Sequence, residues 1–212
     1  MRKSRILTVF LALAVVFTMS FAAVPAYAAS GTAITSVDDL KAMENNPGGS
    51  YYLANDIEVP EGLSLFTDSR TPFTGTFDGN GYAIKNYTYS TTTEDLMHAG
   101  LFCRTKNASF KNLTMTNVNI SVKSGGNFAA LAAYGQGTTF ENITLSGKLS
   151  ASGIVNSLGG IVGSLSGGSL TKCTNKADVT ITGAAGATAA GVVGAASANP
   201  TVKNCSTSGA IS

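Results

Sequence analysis

The 212-residue chain has no tryptophan, one histidine, five prolines and three cysteines, and only 12% of it is charged. Each shortage excludes something. A zinc site needs several nitrogen or sulfur ligands at fixed spacing, which His98 and three scattered cysteines do not supply. Any Ser/His/Asp triad would have to use the same histidine, and no G-x-S-x-G turn accompanies it. His98 is therefore expected in a variable turn, Thr91 to His98, and not as a ligand. Helix-period apolar stripes are missing, and 24 glycines are too many for paired amphipathic helices. After residue 28 no apolar run is long enough to span a bilayer.

What is there begins with an export leader. Arg2, Lys3 and Arg5 precede an almost wholly apolar stretch from Ile6 to Val24, then Pro25 and the small-residue site Ala26-Tyr27-Ala28. This is the layout of a secretory signal peptide over 1–28, cleaved after Ala28. The formal charge of +2 on the whole chain includes those three leader cations. Without them the net charge is about −1, so the basic balance carries no expectation of a nucleic-acid partner. The mature chain is long enough for one domain with a real core.

A repeat organises that domain. Phe110-Lys111-Asn112-Leu113-Thr114, Phe140-Glu141-Asn142-Ile143-Thr144, Leu170-Thr171-Lys172-Cys173-Thr174 and Val202-Lys203-Asn204-Cys205-Ser206 align, with a looser copy at Ile84-Lys85-Asn86-Tyr87-Thr88. They start 26, 30, 30 and 32 residues apart. A second marker keeps the same phase: Ala99-Gly100-Leu101-Phe102, Ala129-Ala130-Leu131-Ala132, Gly159-Gly160-Ile161-Val162-Gly163 and Ala190-Gly191-Val192-Val193-Gly194. Val118 to Val122 and Ala177 to Ile181 alternate apolar and polar at period two, with Gly or Asn between the runs. Short strands and turns repeating about every 30 residues predict an all-β fold, a right-handed parallel β-helix of about four to five coils.

Aligned residues of such a coil stack one strand spacing apart. Leu113, Ile143, Cys173 and Cys205 form one expected inward ladder, and Phe110, Phe140, Leu170 and Val202 another. Asn86, Asn112, Asn142 and Asn204 are expected to stack at a turn, with Lys172 interrupting them and pointing outward. Ser36 to Met43 reads as a short capping helix, Ser36 as N-cap and Asp38 and Asp39 in the first turn; Tyr51 to Ala54 is then the first strand. The expected division is 1–28 leader, 29–60 cap and first strand, and 61–212 β-helix. The chain stops at Ser212 inside a fifth coil, which reads as a truncation or as an edge that pairs with something.

Tyr52-Leu53-Ala54-Asn55-Asp56-Ile57, followed by Phe73-Thr74-Gly75-Thr76-Phe77-Asp78-Gly79-Asn80-Gly81, resembles the opening of bacterial GLUG-motif proteins. Gly159 to Gly163 and Ala190 to Gly194 resemble the repeat for which that family is named, and the similarity runs from about Ile34 to Ser212. The resemblance implies an extracellular β-helix in a bacterial surface or secreted protein. Such regions occur in adhesin-like proteins and in the non-catalytic N-terminal part of IgA-specific zinc metallopeptidases. The peptidase activity does not carry over, because no H-E-x-x-H segment is present. Ala130-Leu131-Ala132 departs from the Gly-bearing pattern.

Parallel β-helices include carbohydrate lyases and hydrolases, which need acids converging on one face. Only Asp56, Glu58, Glu61, Asp68, Asp78, Glu94 and Asp95 in the first coils could supply them. Asp78-Gly79-Asn80-Gly81 reads as a turn and not as a calcium loop, since no further ligands come in register after it. Cys173 and Cys205 share a ladder position; parallel side chains point the same way and strain a bridge, so stacked thiols are expected, with Cys103 a separate core residue. No catalytic, cofactor-binding or metal-binding residue is assigned. The expectation is a secreted or cell-surface module without catalysis of its own, structural or adhesive, binding a host glycan or an extracellular protein. The alternatives are the leading part of a secreted peptidase and a carbohydrate-active enzyme.

Overall fold

A computed structural model describes residues 30–90, 98–123, 125–182 and 188–212. The leader over 1–28, the turn residues 91–97 and the acids Glu94 and Asp95 lie outside the described residues. The chain winds as a β-solenoid of about five turns, with one 13-stranded sheet and two four-stranded sheets. One coil shows the path. Gly125–Phe128 lies in one four-stranded sheet, Ala132–Gln136 in the other, and Thr139–Ala151 in the large sheet. The next coil repeats it with Val155–Gly159, Val162–Ser166 and then Ser169–Thr171, Thr174–Asn175 and Asp178–Ile181. The pairings between these coils are parallel.

The expected ladders stand in register: Phe140 pairs with Phe110 and Leu170, and Leu170 with Val202. Leu113, Ile143 and Cys173 are buried on the neighbouring ladder. Burial gives out in the final rung, where Val202 is 51% exposed and Cys205 half-buried. Around Phe110 the core is aromatic. Its ring centroid lies 4.8 Å from Phe102, 5.3 Å from Phe140 and 5.5 Å from Phe73, within the range where edge and offset contacts add to area burial. The three cysteines are free thiols. Burial pushes the Cys173 thiol up to about 12.

Two expectations about the first coil are corrected. The counterpart of Phe110-Lys111 is Phe77-Asp78, not Ile84-Lys85; Ile84 and Lys85 face Met115 and Thr116 further along the same strand. The cause is a wider turn after Asp78. Asn80 and Gly81 both have positive φ, the Asn80 N–H donates to Asp78 Oδ1 at 2.9 Å, and the Tyr82 N–H to the Gly79 carbonyl at 2.8 Å. Gly79 is required there, because a Cβ would collide with the backbone carbonyl of Asn112.

The asparagine ladder is redrawn accordingly. Asn142 Nδ2 donates to Asn112 Oδ1 at 3.0 Å, and Asn112 Nδ2 to Asp78 Oδ1 at 3.1 Å. Asn86 belongs to a separate pair, accepting from Asn117 Nδ2 at 2.8 Å. Asn112, Asn142, Lys172 and Asn204 all hold φ between 52° and 56°, the left-handed corner that Asn tolerates and Lys does not favour. Lys172 does point outward, with its Nζ 3.2 Å from Glu141.

At the N-terminal end the helix spans Val37–Ala42, with Ser36 Oγ accepting from the Asp39 N–H at 3.1 Å. Leu40 and Met43 are buried in the core. A strand that the sequence did not announce, Thr32–Ile34, precedes it and pairs with Ser50–Leu53. Tyr51 is therefore not in the first strand. The alternation signal fails for Thr32–Ile34 because three residues carry almost no period.

Candidate functional site

Among the described residues the first-coil acids form no cluster. Asp56 is bound to Lys85 Nζ at 2.6 Å and accepts from the Ala83 N–H at 2.8 Å, and the lysine hydrogen bond, then the backbone one, hold its carboxyl below the usual range. Asp78 faces Lys111 at 3.2 Å and heads the asparagine ladder. Glu61 accepts from Ser90 Oγ at 2.9 Å, and Asp68 from the Arg70 N–H at 2.9 Å. Each of these four acids closes its own turn or pair, which is a structural use. Among the described residues no group of three or more His, Cys, Asp or Glu could hold a metal ion.

His98 lies in a strand, His98–Ala99, and not in the variable turn. It pairs in register with Asn127 and accepts the Asn127 N–H on Nδ1 at 3.3 Å. The ladder continues through Ser157, whose hydroxyl donates to Asn127 Oδ1 at 2.9 Å. Burial, helped by the Arg104 charge, pushes His98 down from its ordinary 6.5 to about 4. The ring is therefore neutral at pH 7, and it stacks on Tyr134 with centroids 5.9 Å apart.

Beyond Tyr134 the outer face opens into a cleft of roughly 210 Å³. Its floor comes from two adjacent strands, Phe102–Lys106 and Ala132–Gln136. Arg104 sits beside Tyr134 and Lys106 beside Gln136 in parallel register; period-two geometry turns all four outward. The wall is an excursion of the preceding coil. Leu65 bridges to Phe102 and Phe73 to Thr105, and residues 66–72 between them swing out and bring Ser69 and Arg70 to the rim.

The excursion is tied down. Phe66 has φ 57°, uncommon for a bulky residue, and its N–H donates to Glu44 Oε1 at 2.6 Å. Its ring stacks on Phe102 at 5.7 Å and 6°. The sequence reading missed Arg70, Arg104 and Lys106. Arg104 and Lys106 were open to it, since the marker ending at Phe102 aligns them with Tyr134 and Gln136 one coil later. Arg70 was not, because its place depends on where the excursion begins and ends.

Residues 25–147 match the family described as the M26 IgA1-specific metallo-endopeptidase N-terminal region, and residues 155–181 match the GLUG motif. The immunoglobulin A1 protease of Streptococcus sanguinis is 33% identical over 142 residues, 62% of this chain and 7% of that protein. Halomucin of Haloquadratum walsbyi (strain DSM 16790 / HBSQ001) is 29% identical over 147 residues, 61% of this chain and 2% of that protein. The crystal structure of a candidate immunoglobulin A1 protease from Bacteroides ovatus aligns with a TM-score of 0.43 at 15% identity, covering 86% of this chain and 78% of that one. The chain thus spans a small fraction of the length of the curated relatives it matches. Because the matched region takes in more than half of its residues, the chain belongs to the M26 IgA1-specific metallo-endopeptidase N-terminal region family.

Proposed function

We propose that this chain is the binding module of a larger exported protein, displayed outside the cell, with no catalysis of its own. The carrying observation is the family membership: the matched region is the N-terminal part of a metallo-endopeptidase. The local engagement of Asp56, Glu61, Asp68 and Asp78 supports the non-catalytic part of the reading. The export leader expected over 1–28 supports the location. A stack of rigid coils presents side chains at fixed spacing, which suits extended binding surfaces. The partner class is a glycan or an extracellular protein. In a peptidase-type parent, the module would hold that partner near a catalytic domain, and immunoglobulin A1 is the first protein to offer it, given the relative in Streptococcus sanguinis.

The test incubates the purified exported chain with immunoglobulin A1, a glycan array and a panel of extracellular-matrix proteins. Retention on at least one partner without proteolysis is expected. Cleavage of immunoglobulin A1 by the chain alone would overturn the non-catalytic reading. Blank results against every partner would overturn the binding role and leave a spacer.

A further inference from the structure

The geometry points to the cleft between residues 66–72 and the strands Phe102–Lys106 and Ala132–Gln136 as a site for the carboxylate of an acidic sugar. This assignment names the ligand class for the binding role above and rests on that reading. It starts from charge. Arg70, Arg104 and Lys106 all line the one cleft, and among the described residues no acid lines it. Lys41, Lys85, Lys111 and Lys172 each face a carboxylate at 2.6 to 3.8 Å. Arg70, Arg104 and Lys106 have no such partner among the described residues. Lys123, Lys148, Lys176 and Lys203 have none there either, so the distinguishing feature is that three such cations share one cleft. In a mature chain close to neutrality, three clustered cations without counter-charges repel one another, and an anion placed among them relieves that repulsion.

A second observation concerns Arg104 itself. Its Nε is buried and makes no hydrogen bond among the described residues. Buried donors are almost always satisfied, so this unsatisfied one just beneath the cleft floor leaves the Arg104 guanidinium a net gain from turning toward an acceptor placed in the cleft. A carboxylate suits a guanidinium better than a point anion does, because its two oxygens match the planar fork. The volume, roughly 210 Å³, lies below the ~300–1,000 Å³ of drug-sized ligand sites. It has room for one sugar unit and not for a folded partner. Tyr134 supplies an apolar ring face, backed by His98, and Ser69 and Gln136 supply hydroxyl and amide groups for the sugar hydroxyls.

The cleft is also set in advance of binding. The Glu44 bond to Phe66, the Phe66–Phe102 stack and the Asp68 bonds to the Arg70 and Thr71 N–H groups fix the wall that carries Arg70. That removes ordering losses on binding. A long polyanion is a poorer fit. In the next two coils the residues aligned with Tyr134 and Gln136 are Ser164 and Ser166, then Ala195 and Ser197. The positive charge is confined to one end of the face, whereas nucleic acid would need a continuous basic stripe.

The experiment is calorimetric titration of the full exported chain with methyl glucuronide, N-acetylneuraminate, methyl glucoside, inorganic sulfate and an acidic dipeptide. At least one sugar acid is expected to bind about tenfold or more tightly than the neutral glucoside, and to weaken as salt rises. Arg70→Gln and Arg104→Gln should each weaken it by about tenfold. Lys41→Gln, on the N-terminal helix, should leave it unchanged. Arg70 lies on the excursion and outside every strand, so its variant answers the question even if Arg104→Gln fails to fold. Equal binding of glucoside and glucuronide, equal or better binding of sulfate or the dipeptide, or full affinity in Arg70→Gln would overturn the assignment. An array on which both variants still hold a glycan sinks the cleft and leaves the wider binding role standing. Retention of immunoglobulin A1 or a matrix protein with no sugar acid bound likewise sinks the cleft alone, whereas blank results against every partner, sugar acids included, sink both.

Discussion

The coils up to Ala151 and the coils from Val155 onward follow one backbone path, but they are filled and decorated differently. Inside the first set, Phe73, Phe77, Phe102, Phe110 and Phe140 form a continuous group of aromatic contacts. In the second, the same ladders carry Leu170 and Cys173, both buried, and then Val202 and Cys205, where burial gives out. Outside, the first set holds the Asp56–Lys85 and Asp78–Lys111 pairs and the basic cleft, while at the positions aligned with the cleft floor the second presents Ser164, Ser166, Ala195 and Ser197. In a solenoid each rung is held chiefly by its neighbours, so such differences are not averaged over the molecule. Coils can be specialised one at a time while the backbone stays the same, and here packing strength and candidate binding groups gather at the same end.

Truncation of one ladder at two heights would break this comparison most sharply. Phe110 is fully buried among four rings, and Phe110→Ala should cost about 3–5 kcal/mol, read from urea unfolding. Val202 occupies the same ladder further on, in the last rung, and is 51% exposed, so Val202→Ala should stay within about 0.5 kcal/mol. Similar costs at the two positions would mean that the last rung is covered in solution, and that the contrast between the two sets of coils is smaller than their composition suggests.

The corner of the large sheet gives a smaller effect. Asn142 holds φ 54° and donates to Asn112; Asn142→Ala loses both the tolerance for that backbone and the bond, at about 1–3 kcal/mol together. Lys172 holds the same left-handed corner one coil later, in the plainer set, with φ 56°. Lys172→Asn should therefore raise stability, by up to about 1 kcal/mol, with the urea midpoint rising accordingly. A midpoint that falls would show that the exposed pair with Glu141 outweighs the backbone term at that corner.

These two positions also show what could be read before the fold was known. The ladder through Phe110, Phe140, Leu170 and Val202 was legible because inward residues at fixed phase repeat regardless of which turn joins them. The asparagine corner was legible from Asn112 onward for the same reason. It was misread at Asn86, where the wide turn through Asn80 and Gly81 displaces the register, and a turn of variable length breaks a fixed-phase alignment. The cleft was the least legible part. Arg104 and Lys106 were two basic residues in a strand until the excursion over 66–72 placed Arg70 opposite them. Bringing residues together across an irregular loop is a tertiary event that periodicity does not encode.

Acid gives the finest test, because the two sets of coils differ in their titrating groups: the single histidine lies in the first. Folding pushes His98 down from its ordinary 6.5 to about 4, chiefly by burial, with Arg104 adding to it. As pH falls through 6.5 the unfolded chain takes up a proton that the folded chain refuses until about pH 4. Stability is thus full above about pH 6.5, declines as the pH drops toward 4, and levels off below that as far as this group is concerned. Asp56 acts in a separate window. Its carboxyl is held below its ordinary 3.8 by Lys85 and the Ala83 N–H, so its contribution is present above 3.8 and is lost as the pH falls further. The urea midpoint of the native chain should therefore slope downward between pH 6.5 and 4. In His98→Phe, which keeps a ring against Tyr134, that slope should flatten even though the loss of the Asn127 bond lowers the midpoint at every pH. Equal slopes in the two proteins would show that His98 titrates at its ordinary value, and the rung behind Tyr134 would then be open to water.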